Sequence, residues 1–183
     1  MLRHLSGPTV KALLLGLFCC LGAHAKQAEA KKPKAELLAL RTVHPQSQSL
    51  LAGLKAGTGK VPPGYKVFQI RVIDYETGKK IGQEPILLSL KTIVTEKHVQ
   101  LARPDQGIGP LSVTLTEGGG ERLNTATKKM KLGVDRMAVV LEGECIIAPT
   151  VQAVLSQRFI INGLDGKAEV DHLTKALNNK RQK

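Results

Sequence analysis

Aromatic side chains are scarce in this chain. Tryptophan is absent, and Phe18, Phe68, Phe159, Tyr65 and Tyr75 are the only other aromatics apart from histidine. Sites for sugars, single-stranded nucleic acid or flat cofactors are built on aromatic faces, so those functions lack their usual platforms. Cysteine is nearly as rare, at three residues. Cys19 and Cys20 lie in the leader segment described below, which leaves Cys145 alone and a mature chain without an internal disulfide. No apolar run reaches the ~18 residues that a membrane-spanning helix needs. Acidic residues are outnumbered, 15 against 27 Lys and Arg, for a formal charge of +12.

What is present suits one ordinary domain. The 183 residues are 42% apolar, enough for a packed core, and the 23% charged residues mix both signs, which argues against wholesale disorder. Residues 1–25 read as a signal peptide. Arg3, His4 and Lys11 form the positive start, Ala12 to Leu21 the apolar stretch, and Ala23-His24-Ala25 supplies small residues at −3 and −1 of a cleavage site. A retained anchor is disfavoured by the short apolar stretch. Lipidation at Cys19 or Cys20 is disfavoured because Phe18 and Cys19 precede them where a small residue is wanted. Cleavage removes Arg3 and Lys11 and takes the net charge to +10.

Residues 26–60 read as a basic, low-complexity and flexible linker carrying two short apolar patches, Leu37 to Leu40 and Leu50 to Leu54, either of which suits a helical turn. Gly57 to Gly64 is too rich in Gly and Pro for helix or sheet, which places the start of the folded domain at Val61, with its end at Asn179 and a basic tail at 180–183. Within it, Phe68, Ile70 and Val72 alternate with polar positions, Ile86 to Leu88 and Val94 to Leu101 read as short strands, and Pro104-Asp105-Gln106-Gly107 as a turn. Leu111, Val113 and Leu115 give the cleanest alternation. The period then becomes helical through Leu123, Ala126 and Met130, with Thr116 placed to cap and Gly118-Gly119-Gly120 expected to fray the first turn. Met137 to Leu141 and Cys145 to Ala148 flank Glu142-Gly143 as a tight hairpin. Arg158 to Ile161 is a further strand, and Val170, Leu173 and Leu177 mark a closing helix. The fold class expected is α+β, a small, mostly antiparallel sheet with two helices packed on one face.

No constellation for chemistry emerges: no catalytic, cofactor-binding or metal-binding residue is assigned. Ala56 to Val61 brushes against a phosphate-binding loop but has Leu54 and Val61 where the motif needs Gly and Ser or Thr. His44, His98 and His172 lack metal-ligand spacing. Cys145 lies in an apolar run and reads as a small buried hydrophobe. Glu142 and Glu144 read as exposed hairpin charges, and Glu117 and Glu121 would repel an anion from the glycine triplet. Lys128, Lys129 and Lys131, with Lys26, Lys31, Lys32 and Lys34, read as solvated faces whose functional use would be weak contact with an anionic membrane surface; nucleic acid is not expected.

Val113-Thr114-Leu115-Thr116-Glu117-Gly118-Gly119-Gly120-Glu121-Arg122-Leu123, the run Asp135 to Pro149 and the strand Phe159 to Leu164, followed by a helix from Ala168 to Leu177, resemble the head subdomain of the first large periplasmic region of SecD and fused SecDF export proteins. The resemblance covers Glu84 to Leu177, with Glu142 in place of the usual turn Asp. It implies an exported, non-enzymatic module of the periplasm or cell envelope that contacts polypeptide or an envelope protein, Sec translocon components among them. The alternative is a structural envelope protein held at anionic surfaces by its basic tether, and a hydrolase is the third reading. Proton-driven translocation depends on membrane helices that this sequence does not display, so it is not carried over.

Overall fold

A computed structural model describes residues 36–74, 76–105 and 110–179. Residues 1–25, expected as a signal peptide and including Cys19 and Cys20, the first part of the expected linker, the expected turn at Gln106-Gly107 and the 180–183 tail lie outside the described residues. In chain order the elements are β1 (Leu38–Val43), α1 (Ser47–Lys55), β2 (Tyr65–Ile73), β3 (Lys80–Thr95), a 3-10 turn at Glu96–His98, β4 (Val99–Pro104), β5 (Leu111–Leu115), α2 (Glu117–Lys128), β6 (Met137–Leu141), β7 (Glu144–Ile147), β8 (Arg158–Ile161) and α3 (Gly166–Asn179). The class is α+β and the pairing is antiparallel except between β2 and β7, where Ile70 lies opposite Cys145. Instead of one sheet there are two: a closed barrel in the order β1-β3-β2-β7-β6, and a three-stranded sheet β4-β5-β8.

The linker reading does not hold for residues 38–55. Leu38–Val43 is an inner strand of the barrel, paired with β3 on one side and β6 on the other, and Leu50 to Leu54 belongs to α1. A run of Leu and Ala without alternation is what a strand buried on both faces looks like. Leu38 and Leu40 face an outer apolar layer with Met137, Val139 and Leu141, while Ala39 and Val43 line the barrel with Ala138, Val140 and Cys145. Small residues on β1 and β6 face Ile86 and Leu88 of β3, and Phe68 and Ile70 of β2 pack against the same cluster, a mix of small and large that suits a narrow five-stranded barrel. Likewise Ile86 to Leu88 and Val94 belong to one 16-residue strand, β3, while the remainder of the strand expected from Val94 to Leu101 is broken by the 3-10 turn Glu96–His98 before β4 begins at Val99.

The outer layer is where the other elements pack. Leu111, Val113 and Leu115 of β5, Leu123 of α2, and Val170, Leu173 and Leu177 of α3 are all buried in it, as their periodicity predicts. Glu142 (φ 49°) and Gly143 (φ 89°) form the two-residue turn between β6 and β7, both in the left-handed region that a type I′ hairpin requires.

The glycine triplet does not fray α2. Thr116 caps the helix by accepting from the Gly119 amide at 3.3 Å, and Gly119 and Gly120 are buried. A Cβ on Gly119 would stand 2.8 Å from His98 Cβ and 3.0 Å from the His98 carbonyl oxygen; one on Gly120 would stand 2.5 Å from Gln157 Cγ. Close approach explains these residues. A Cβ on Gly118 would meet nothing within 4 Å. Gly118→Ala is therefore expected to raise stability by up to about 1 kcal/mol through helix propensity, and Gly119→Ala to lower it by about 1–3 kcal/mol through overpacking. Urea unfolding of the two variants checks the opposite signs.

Candidate functional site

The residues with chemical potential are dispersed or already engaged. His44 stacks edge-on against Tyr65 with ring centroids 4.6 Å apart, His98 Nδ1 accepts from the Thr95 amide at 3.1 Å, and His172 Nε2 lies 3.1 Å from Glu142 Oε1. The Cys145 thiol is buried in the barrel, and that burial pushes its pKa up to about 12, far from a nucleophile's range. The amides of Gly57, Thr58 and Gly59 donate to the carbonyls of Leu54 and Gly53, ending α1 instead of facing a phosphate. Among the described residues, no helix is long and apolar enough to cross a membrane.

A polar centre that sequence reading missed lies at Arg71 on β2. Its side chain is only 6% exposed and grips Glu169 of α3 with both terminal nitrogens, at 2.9 and 3.0 Å. Nη2 also bonds Glu144 of β7 at 2.8 Å, and Nη1 the Gly163 carbonyl at 3.3 Å. Lys80 and Gln83 reach the other oxygen of Glu144. Burial alone would raise the pKa of Glu144, but the bonds from Arg71, Lys80 and Gln83 outweigh it and hold the group at about 2. Burial likewise opposes the charge on Arg71, and the two carboxylates overcome it and raise its pKa further. The pair Glu142 and Glu144 thus splits: the first turns to His172, the second into this network. Both carboxylates are paired with the guanidinium, while Arg71 Nε is buried without a hydrogen-bond partner, and the arrangement ties α3 to the barrel.

Among the described residues, an open strand edge lies at the outer side of β8. Leu115 N donates to Gln157 O at 2.7 Å, so the Gln157 peptide faces β5. By strand alternation the peptide groups of Phe159 and Ile161, opposite Val113 and Leu111, also face β5, and those of Arg158 and Ile160 face away. β8 ends its sheet and the outward row lies beside a groove of ≈ 760 Å³. Met137, Val139, Ile147, Val151, Leu155 and Phe159 line the groove. Its floor is fixed by α2, since Thr127 Oγ1 accepts from the Leu155 amide at 3.0 Å and Asn124 Nδ2 donates to the Leu155 carbonyl at 3.2 Å. Arg158 is held in turn by Ser112 Oγ at 3.1 Å, and Ile160 stays 46% exposed. An exposed strand beside an apolar trough can take another strand.

The family model for the SecDF P1 head subdomain matches residues 71–180. The chain belongs to that family. The match runs from Arg71 through α3, so the SecDF P1 head segment contains the Arg71 network, β8 and most of the groove, whereas β1, α1 and most of β2 precede it. Among solved structures, the crystal structure of SecDF in its super-membrane-facing form aligns at a TM-score of 0.51 and 23% identity, over 79% of this chain and 19% of that one. A second SecDF structure, described as a membrane component that enhances protein export, aligns at a TM-score of 0.47 and 24% identity, over 79% of this chain and 62% of that one. The first likeness shows a shared fold. The chain spans less than two thirds of the length of either SecDF chain. No curated protein matches the sequence significantly.

Proposed function

We propose that this chain is a non-enzymatic protein-export module of the periplasm or cell envelope, which holds extended polypeptide by strand addition at β8. The observation that carries the reading is the outward row of Arg158 and Ile160 peptide groups beside the fixed apolar groove. Backbone pairing supplies affinity without demanding a sequence, and alternate side chains of the guest fill the groove. Family membership adds that the relatives serve protein export, with polypeptides in transit and translocon components as natural partners. The pairing of Glu144 and Glu169 with Arg71 supports a structural role for these charges over a catalytic one.

The test uses a fluorescent peptide of alternating Val and Thr, about ten residues long, titrated with the purified chain. Saturable binding is expected. Ile160→Pro removes an outward N–H without touching the ladder to β5, since edge strands tolerate proline there. It should weaken binding by about tenfold or more at unchanged Tm. Absence of binding by the wild-type chain, or equal binding by a folded Ile160→Pro variant, overturns the proposal.

A further inference from the structure

The sheet β4-β5-β8 has two ends, and they are treated differently. At β4, both peptide groups of Ala102 point away from β5 and are taken by a single side chain. The Ala102 amide donates to Asn178 Oδ1 at 3.0 Å, and Asn178 Nδ2 donates to the Ala102 carbonyl at 2.8 Å. A carboxamide is a peptide group without its chain, and this pair of bonds is the one a neighbouring strand would exchange with Ala102. Two residues on, Pro104 is the next position whose backbone nitrogen faces outward, and it has no hydrogen to donate. β8 carries neither device: it contains no proline, and its outward peptides face the groove mouth.

We propose that Asn178 and Pro104 are edge guards that make this sheet single-ended, so that a strand adds at β8 and never at β4. Asn178 is then a specificity-determining residue, set on the last turn of α3 just after Leu177, whose burial fixes that turn against the outer layer. The inference deepens the β8 reading by fixing where a guest strand goes, yet its test needs no guest.

The test is the self-association of the chain itself. Asn178→Ala with Pro104→Val restores an outward donor and leaves both peptide groups of Ala102 without a partner, offering β4 to the β4 of a second copy where the last turn of α3, which packs along β4, gives way. Sedimentation velocity across a concentration series should show the double variant associating at least about tenfold more tightly than the wild-type chain. Adding Ile160→Pro should leave the new association in place, because the contact is at β4. A folded double variant that sediments as the wild-type chain does overturns the proposal, as does new association that Ile160→Pro abolishes. Should the variant not fold, amide exchange in the wild-type chain decides: Ala102 is expected to exchange as slowly as the amides paired between β5 and β8, and exchange at the rate of an open edge sinks the guard. Loss of peptide binding at β8 would leave this outcome untouched, so the two readings fail separately.

Discussion

A chain that begins at Val61 is expected to show no cooperative unfolding transition, although composition alone places the domain boundary there. It would lack β1, which closes the barrel between β3 and β6, and so would expose the inner edges of both. It would also lose Leu38, Leu40 and Val43, all nearly inaccessible to solvent. At about 2–5 kcal/mol for each large side chain removed from a core, the loss approaches the ~5–15 kcal/mol by which a whole domain is stable. A chain that keeps residues 36–60 should unfold in one sigmoidal step in urea. Circular dichroism of the two fragments separates the outcomes; a cooperative transition in the shorter one would show that β1 is dispensable. The same holds for reliance on the family match alone, since residues 71–180 exclude β1 as well.

Replacing Arg71 by Met is expected to cost about 3 kcal/mol, toward the low end of what removing one partner from a buried ion pair does. The reason for the low end is access: Glu144 and Glu169 keep about a quarter of their side-chain surface in solvent, at 24% and 25%, and can be hydrated when the guanidinium goes. Converting both carboxylates to Gln in the Arg71→Met background should recover most of the loss. Acid titration gives an independent readout. Glu144 has a folded pKa of about 2 against an ordinary 4.5, so its contribution is fully present above pH 4.5 and fades as pH falls from there toward 2. Arg71→Met removes the largest cause of that depression, and its stability should depend less on pH across the same window. An unchanged slope would mean the network does not set these ionisations.

How much of this was visible in the residues divides by physical scale. Signals that repeat within one element were readable: the alternation at Leu111, Val113 and Leu115, the helical spacing of Val170, Leu173 and Leu177, and the Glu142-Gly143 turn. β1 was not readable as a strand, because burial on both faces erases the alternation that distinguishes a strand from a helical turn. The glycine triplet misled for a related cause. Its value lies in the approach of His98 and Gln157, which are distant along the chain, whereas propensity counts only the backbone's own freedom. The Arg71 centre joins partners 73 and 98 residues away, and no spacing rule reaches that far. Strand β8 was readable, but its status as an uncovered end was not, because that depends on which strands lie beside it.

In β1, β6 and β7, neighbouring residues on one backbone anchor opposite apolar layers: Leu38 and Ala39, Val139 and Val140, Ile146 and Cys145. Water cannot enter one layer without loosening the strands that roof the other. A half-melted form that sheds the outer helices while keeping the barrel intact would have to wet the outward faces of those strands, so it gains little over complete unfolding. Proteases consequently meet either the intact chain or the fully open one, with few long-lived states between them to cut.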